Sequence, residues 1–364
     1  MSADLAPGWR VPLLAAGFVS LVLGVGAGLF LLGWRVPSVA AGAAIHHGPL
    51  MVCGFLGTVI GLERAVALRR LWAYVGPLCA GLGGLSLILS IPASAAPALL
   101  TTGSFVLLTA SVFVFIQQRA LFTLTLALGA GCWFVGNFLW LGGAPVHGVV
   151  PWWIGFLVLT IAGERLDLSR LLPPSPRANG MFGAIIVVML AALVISLTQT
   201  AVGTMLFAGT LLLLAGWLLR HDIARHTLKQ QGLTRFIAVC LLSAYAWLAI
   251  GALIALLSGG IAPGNLNYDA ALHAILLGFV FSMVFGHAPI IFPAVLRVPV
   301  PYHPTFYVPL IVLHVSLAAR VAGDLLGAFP LRSAGGMFNA LALLLFIAGM
   351  IGAVVRGKRT PTIV

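Results

Sequence analysis

The chain has 364 residues, 61% hydrophobic and only 7% charged, with a mean hydropathy of +1.14. Soluble domains carry about 25% charged residues, so this composition cannot cover a water-facing surface and excludes a soluble globular protein. The net charge of +12 would point to nucleic acid in a soluble chain; here it has to be read loop by loop, and no nucleic-acid partner is expected.

Hydropathy predicts about twelve spans, near residues 11–33, 38–62, 72–92, 96–117, 120–141, 147–163, 181–198, 201–219, 234–258, 267–289, 304–328 and 335–355. A bilayer core takes about 20 apolar residues per helix, and only hydrogen-bond-closed elements survive in lipid, so runs of this length are helices. The expected class is all-α, a polytopic membrane protein whose residues 1–364 form a single integral membrane domain. The first run has no small-residue cleavage site after it and reads as a retained span rather than a signal peptide. Turns bearing proline separate several spans, among them Pro92-Ala93-Ser94, Leu172-Pro173-Pro174-Ser175-Pro176 and Pro299 to Pro304. Pro289 and Pro293 are expected to break the tenth span, with the next starting at His303-Pro304.

The basic residues give an orientation. Arg10, Arg64, Arg69, Arg70, Arg119, Arg165, Arg170, Arg177, Arg220, Arg225, Lys229, Arg235, Arg297, Arg356, Lys358 and Arg359 all fall on one side, 16 in total, against Arg35, Arg320 and Arg332 on the other. The positive-inside rule then predicts a bacterial-type inner membrane protein with both termini cytoplasmic. The four cysteines, Cys53, Cys79, Cys132 and Cys240, lie in apolar runs without CxxC spacing, which argues for buried inert thiols rather than a disulfide scaffold or thiolate metal site.

A weak repeat joins the second and sixth spans. Gly54-Phe55-Leu56 with Glu63-Arg64 and Arg69 recurs as Gly155-Phe156-Leu157 with Glu164-Arg165 and Arg170, at a constant offset of 101 residues that also lays His46 on His147. Gly278-Phe279 of the tenth span continues the series, with His287 falling where the two glutamates fall. A threefold arrangement of four-helix units is the implied architecture.

Ionisable groups inside a membrane are costly and become functional candidates. His46 and His47 open the second span, with His46 a further candidate metal ligand beside His47, and His273 lies about two turns into the tenth. Both spans enter from the outer side, so His47 and His273 are expected at similar depth, where two neutral imidazoles could hold a haem between apolar walls. The competing reading is that each packs the bundle by bonding to a nearby carbonyl. His287, His303 and His314 form a second group, for which a proton path or a hydrogen-bonded loop competes with a copper or other metal site. Arg320 and Asp324, four apart, are expected to pair on one helix face. Glu63-Arg64 and Glu164-Arg165 read as snorkelling helix ends, with proton entry as the sharper alternative, and Trp34, Trp72, Trp140, Trp152 and Trp153 as an aromatic belt. Nucleotide, protease and hydrolase motifs are absent from the sequence.

The string His47-Gly48-Pro49-Leu50-Met51 resembles the helix carrying the low-spin haem ligand in subunit I of haem-copper oxidases, and His273 to Met283 looks like that fold's tenth helix. The resemblance implies a haem-copper-oxidase-like fold with His47 and His273 as axial ligands of a b-type haem. It also departs from that family: the tenth span carries a single His where the family has two separated by one residue, and the seventh span has none of the copper-binding pair. The chain is similar as well to the NnrS family of haem- and copper-containing membrane proteins linked to nitric oxide. That likeness rests on the His-rich start of the second span, on His273, Gly278, Met283 and Gly286-His287, and on Ala319-Arg320-Val321. It implies a role in nitric oxide metabolism or respiratory redox chemistry, possible oxidoreductase activity on nitric oxide, and a quinone or cytochrome as electron donor. The alternative is a proton-coupled secondary transporter or channel without cofactor. An assembly protein of a respiratory complex ranks third, because short loops leave it little surface outside the membrane.

Overall fold

The computed structural model describes residues 4–89, 91, 94–168, 175–264 and 266–359. Among these every regular element is helical. Among the described residues twelve helices are long and apolar enough to cross a membrane: α1 (Pro7–Leu31), α2 (Ala44–Leu68), α3 (Leu71–Ile88), α4 (Ala95–Gln117), α5 (Leu121–Leu141), α6 (Val146–Leu168), α7 (Pro176–Ile195), α8 (Thr200–His221), α9 (Gly232–Leu257), α10 (Leu266–Leu296), α11 (Pro304–Leu325) and α12 (Phe329–Lys358). Large apolar side chains stand outward, such as Val187 and Val194 of α7 and Leu344 and Ile351 of α12. Water would not tolerate so continuous an apolar exterior, so its solvent is the lipid bilayer. The expected turns at Pro92-Ala93 and Leu172-Pro173-Pro174, and the basic residue Arg170, lie outside the described residues.

The chain divides into two compact units, one of residues 1–163 with 295–297 and one of residues 164–294 with 298–364. In the first, α1 packs on α2 and α3, α3 on α4, and α4 on α5. In the second, each helix from α7 to α12 packs on its successor. Short loops between long helices leave a chain few other neighbours within reach.

Two helices depart from α geometry. The second predicted span, 38–62, is divided: a short helix (Ser38–Gly42) precedes α2, which opens with a 3₁₀ turn (Ala44–His46), runs through His47–Pro49, becomes π-helical over Leu50–Leu56 and returns to α-helix at Gly57. Pro49 supplies no N–H to the turn before it, which weakens regular pairing here. In α10 a stretch of α-helix ending at His273 is followed by a π-helical run, Ala274–Phe281. The shift that carries Gly54 onto Gly278 also carries the start of one π run onto the start of the other, so the two copies share a backbone irregularity as well as a motif. The sixth span does not: α6 is α-helical throughout, with Pro151 inside it.

Pro289 and Pro293 do not end α10, contrary to expectation; both lie inside it and it continues to Leu296. Each proline costs one hydrogen bond, which a membrane helix tolerates when neighbours and local adjustment compensate. The helix stops where Arg297 turns left-handed at φ 55°, and Val298, placed before Pro299, is biased away from helix.

Candidate functional site

His47 lies just inside α2, half-buried, and its Nδ1 donates to the Gly24 carbonyl of α1 at 2.7 Å. A carbonyl can only accept, so Nδ1 carries the proton and Nε2 is the basic nitrogen. The ring fits because the facing residue is Gly28, where a Cβ would stand 2.8 Å from the imidazole Cε1. His46 closes the preceding 3₁₀ turn, half-buried.

His273 repeats the pattern. Its Nδ1 stands 2.9 Å from the Asp269 carbonyl and 3.2 Å from Asp269 Oδ1, one helical turn earlier in α10. Both imidazoles therefore direct Nδ1 to a main-chain oxygen, the arrangement that orients histidine ligands of metals. Both also stand within a few residues of a π-helical run, and such runs are frequent at functional sites.

A chain of charges continues from His273. Asp269 Oδ2 accepts from Arg320 of α11 at 3.1 Å and from Arg332 of α12 at 3.2 Å. Arg332 Nε lies 2.7 Å from Oδ1 of Asp324, an ion pair without hydrogen-bond alignment. The cluster thus joins two guanidinium groups and two carboxylates across α10, α11 and α12. The expected pairing of Arg320 with Asp324 is corrected: each finds its partner on a neighbouring helix, where the geometry allows one carboxylate to serve two arginines.

The other histidines are dispersed. His287 Nδ1 donates to the Met283 carbonyl at 2.8 Å, and exposed His303 caps the first turn of α11 through Thr305. His314 is held at both nitrogens: Trp247 Nε1 donates to Nδ1 at 2.9 Å, and Nε2 donates to Ser243 Oγ at 3.0 Å. No group of three or more His, Cys, Asp or Glu able to hold a metal ion occurs among the described residues. His287, His303 and His314 each bond to a different neighbour.

Further networks escaped the sequence reading, among them that of buried Arg10, which donates to Asp4 at 2.8 Å and to the Val295 carbonyl at 2.7 Å. Arg165, only 3% exposed, is bidentate to Asp222, through Nε at 2.7 Å and Nη2 at 3.0 Å. Tyr245 donates to the same carboxylate at 2.8 Å, and so does the Ala224 N–H. Arg165 is therefore a buried clamp and not a snorkelling end. In the first unit Asn137 Oδ1 accepts from Trp153 Nε1 at 3.0 Å and from Cys53 at 3.5 Å, its Nδ2 donates to the Leu100 carbonyl at 3.0 Å, and Trp133 donates to Cys53 at 3.3 Å. Trp152 and Trp153 are buried and leave the expected belt, whereas Trp34 and Trp72 remain exposed. The cysteines are free, three buried and Cys79 partly so.

Twelve apolar helices among the described residues, with polar networks buried within each unit, define a polytopic all-α membrane protein. The chain belongs to the family described as "Domain of unknown function (DUF8744)", whose model matches residues 10–355. No curated protein matches it.

Proposed function

We propose that the protein binds a b-type haem through His47 and His273 and takes part in nitric oxide metabolism or respiratory redox chemistry. The observation that supports this reading is the shared posture of the two imidazoles, each with Nδ1 within hydrogen-bond distance of a main-chain carbonyl, the tautomer in which the ring's lone pair is on Nε2. The haem would supply one-electron chemistry. The protein's own part is to fix the tautomers, through Gly24 and Asp269, and to keep the surroundings apolar. A haem with two histidine ligands has no open position for a diatomic gas, which favours electron transfer, from a quinone or cytochrome donor, over turnover of nitric oxide at that iron. Copper is left out, because His287, His303 and His314 each have separate partners. The basic-residue distribution supports an inner membrane location with both termini cytoplasmic.

Purified protein should show a b-type absorption spectrum and bound iron, both lost in His47→Ala and in His273→Ala and both kept in His303→Ala. A colourless, monodisperse preparation would sink the proposal. The competing reading is a cofactor-free transporter, which draws on the interrupted helices α2 and α10. It predicts solute-dependent proton uptake in proteoliposomes from protein without iron or copper.

A further inference from the structure

At the leading end of α9 the second unit opens a cleft of about 410 Å³, lined by Gln231, Gly232, Arg235, Val239, Tyr302 and Tyr307. Its wall is firm. Phe236 is fully buried, and the rings of Tyr307, Phe306 and Tyr302 surround it at 5.2, 5.8 and 6.4 Å. Arg235 is exposed, and among the described residues no carboxylate pairs with it or lines the cleft. Lys229 and Arg225 lie in the loop just before, so the local field is positive.

Polarity changes along the cleft. Arg235 and the hydroxyls of Tyr302 and Tyr307, which interact with each other, supply donors, and Gln231 leaves the first turn of α9 without a side-chain cap, so main-chain N–H groups beside Gly232 add partial positive charge. Val239 is one turn further along the same helix face as Arg235, and it is apolar. Because α9 crosses the bilayer, its end lies at headgroup level and the path from Arg235 to Val239 leads from headgroup toward acyl chain. A strongly anionic group at the mouth with an apolar extension behind it satisfies every part of this lining.

We propose that the cleft is a binding site for a phosphate group, carried by an anionic phospholipid of the surrounding leaflet. Arg235 takes the phosphate as a fork, the tyrosine hydroxyls and the first turn of α9 donate to it, and an acyl chain runs past Val239. The site does not depend on haem.

The test is native mass spectrometry of the full chain in mild detergent, offered equal amounts of phosphatidylglycerol and phosphatidylcholine of one chain length. Wild type should retain phosphatidylglycerol in preference, and Arg235→Gln should lower that retention roughly tenfold. Arg225→Gln, which removes a charge from the same loop outside the cleft, should leave it unchanged. Inorganic phosphate in large excess should not displace the lipid; displacement with equal protection of the protein against heat would make free phosphate the source of the same chemistry. Equal retention by wild type and Arg235→Gln, or equal retention of the two lipids, overturns the proposal. Should Arg235→Gln elute as aggregate, Arg235→Lys reads the same quantity: it keeps the charge but loses the fork, and a partial loss is expected.

Discussion

The two units differ in what they bury at their centres, although the first also holds an ion pair near its N-terminal end, where buried Arg10 donates to Asp4 at 2.8 Å and to the Val295 carbonyl at 2.7 Å. The centre of the first is neutral, an amide, a thiol and two indoles joined to the Leu100 carbonyl. The second is held by ions: Arg165 on Asp222 toward one end of the chain's helices, and Asp269, Asp324, Arg320 and Arg332 joined in a second cluster. A neutral hydrogen bond lost from a buried site costs about 1–3 kcal/mol, whereas one member of a buried ion pair removed alone costs about 3–5 kcal/mol, because its partner stays charged and unsolvated. The ionic networks of the second unit should therefore be more brittle to single substitutions than the neutral centre of the first, yet forgiving of paired apolar ones.

The largest effect is expected from Asp222→Ala, which strands Arg165 and removes the acceptor of Tyr245: a loss of about 3–5 kcal/mol, read as a lowered melting temperature by tryptophan fluorescence in detergent. Adding Arg165→Met should recover more than half of that loss; no recovery would mean the pair is not what makes this unit brittle. Asp269→Asn should come next, about 2–4 kcal/mol, since Arg320 and Arg332 lose half of their countercharge. Asn137→Leu, the matching insult to the neutral network, should cost about 1–3 kcal/mol by the same melting assay. If it exceeds Asp222→Ala, the contrast between the units fails. The smallest change is Thr58→Val, which removes only the hydroxyl bond to the Gly54 carbonyl at 2.7 Å and should cost about 1 kcal/mol or less.

Sequence read the twelve spans well because hydropathy measures partition into lipid, which governs every helix here. It could not locate the π-helical runs, since one more residue per turn leaves hydropathy unchanged. It also ended α10 too early at Pro289, because a rule made for isolated helices ignores the support of neighbours in a bundle. His47 and His273 stood out as rare ionisable residues, but Asp269 did not, although its four-residue spacing to His273 was a usable signal. Asp222 and Arg165 are 57 residues apart, and nothing local announces that they meet. Local spacing misassigned Arg320 and Asp324 for the same reason: pairing across helices outcompeted the i,i+4 contact.

The π-helical runs carry one more consequence. Each residue added to a turn advances the helix by about 100°, so α2 and α10 present their leading and trailing halves to the bundle out of phase with what a plain α-helix would give. Deleting one residue from Leu50–Leu56 would leave the hydropathy of α2 almost untouched yet rotate Thr58 and everything after it relative to His47. The histidine-bearing end of each helix is thus set in phase independently of the half that follows the π-helical run, and the register of a single turn is the adjustment between them.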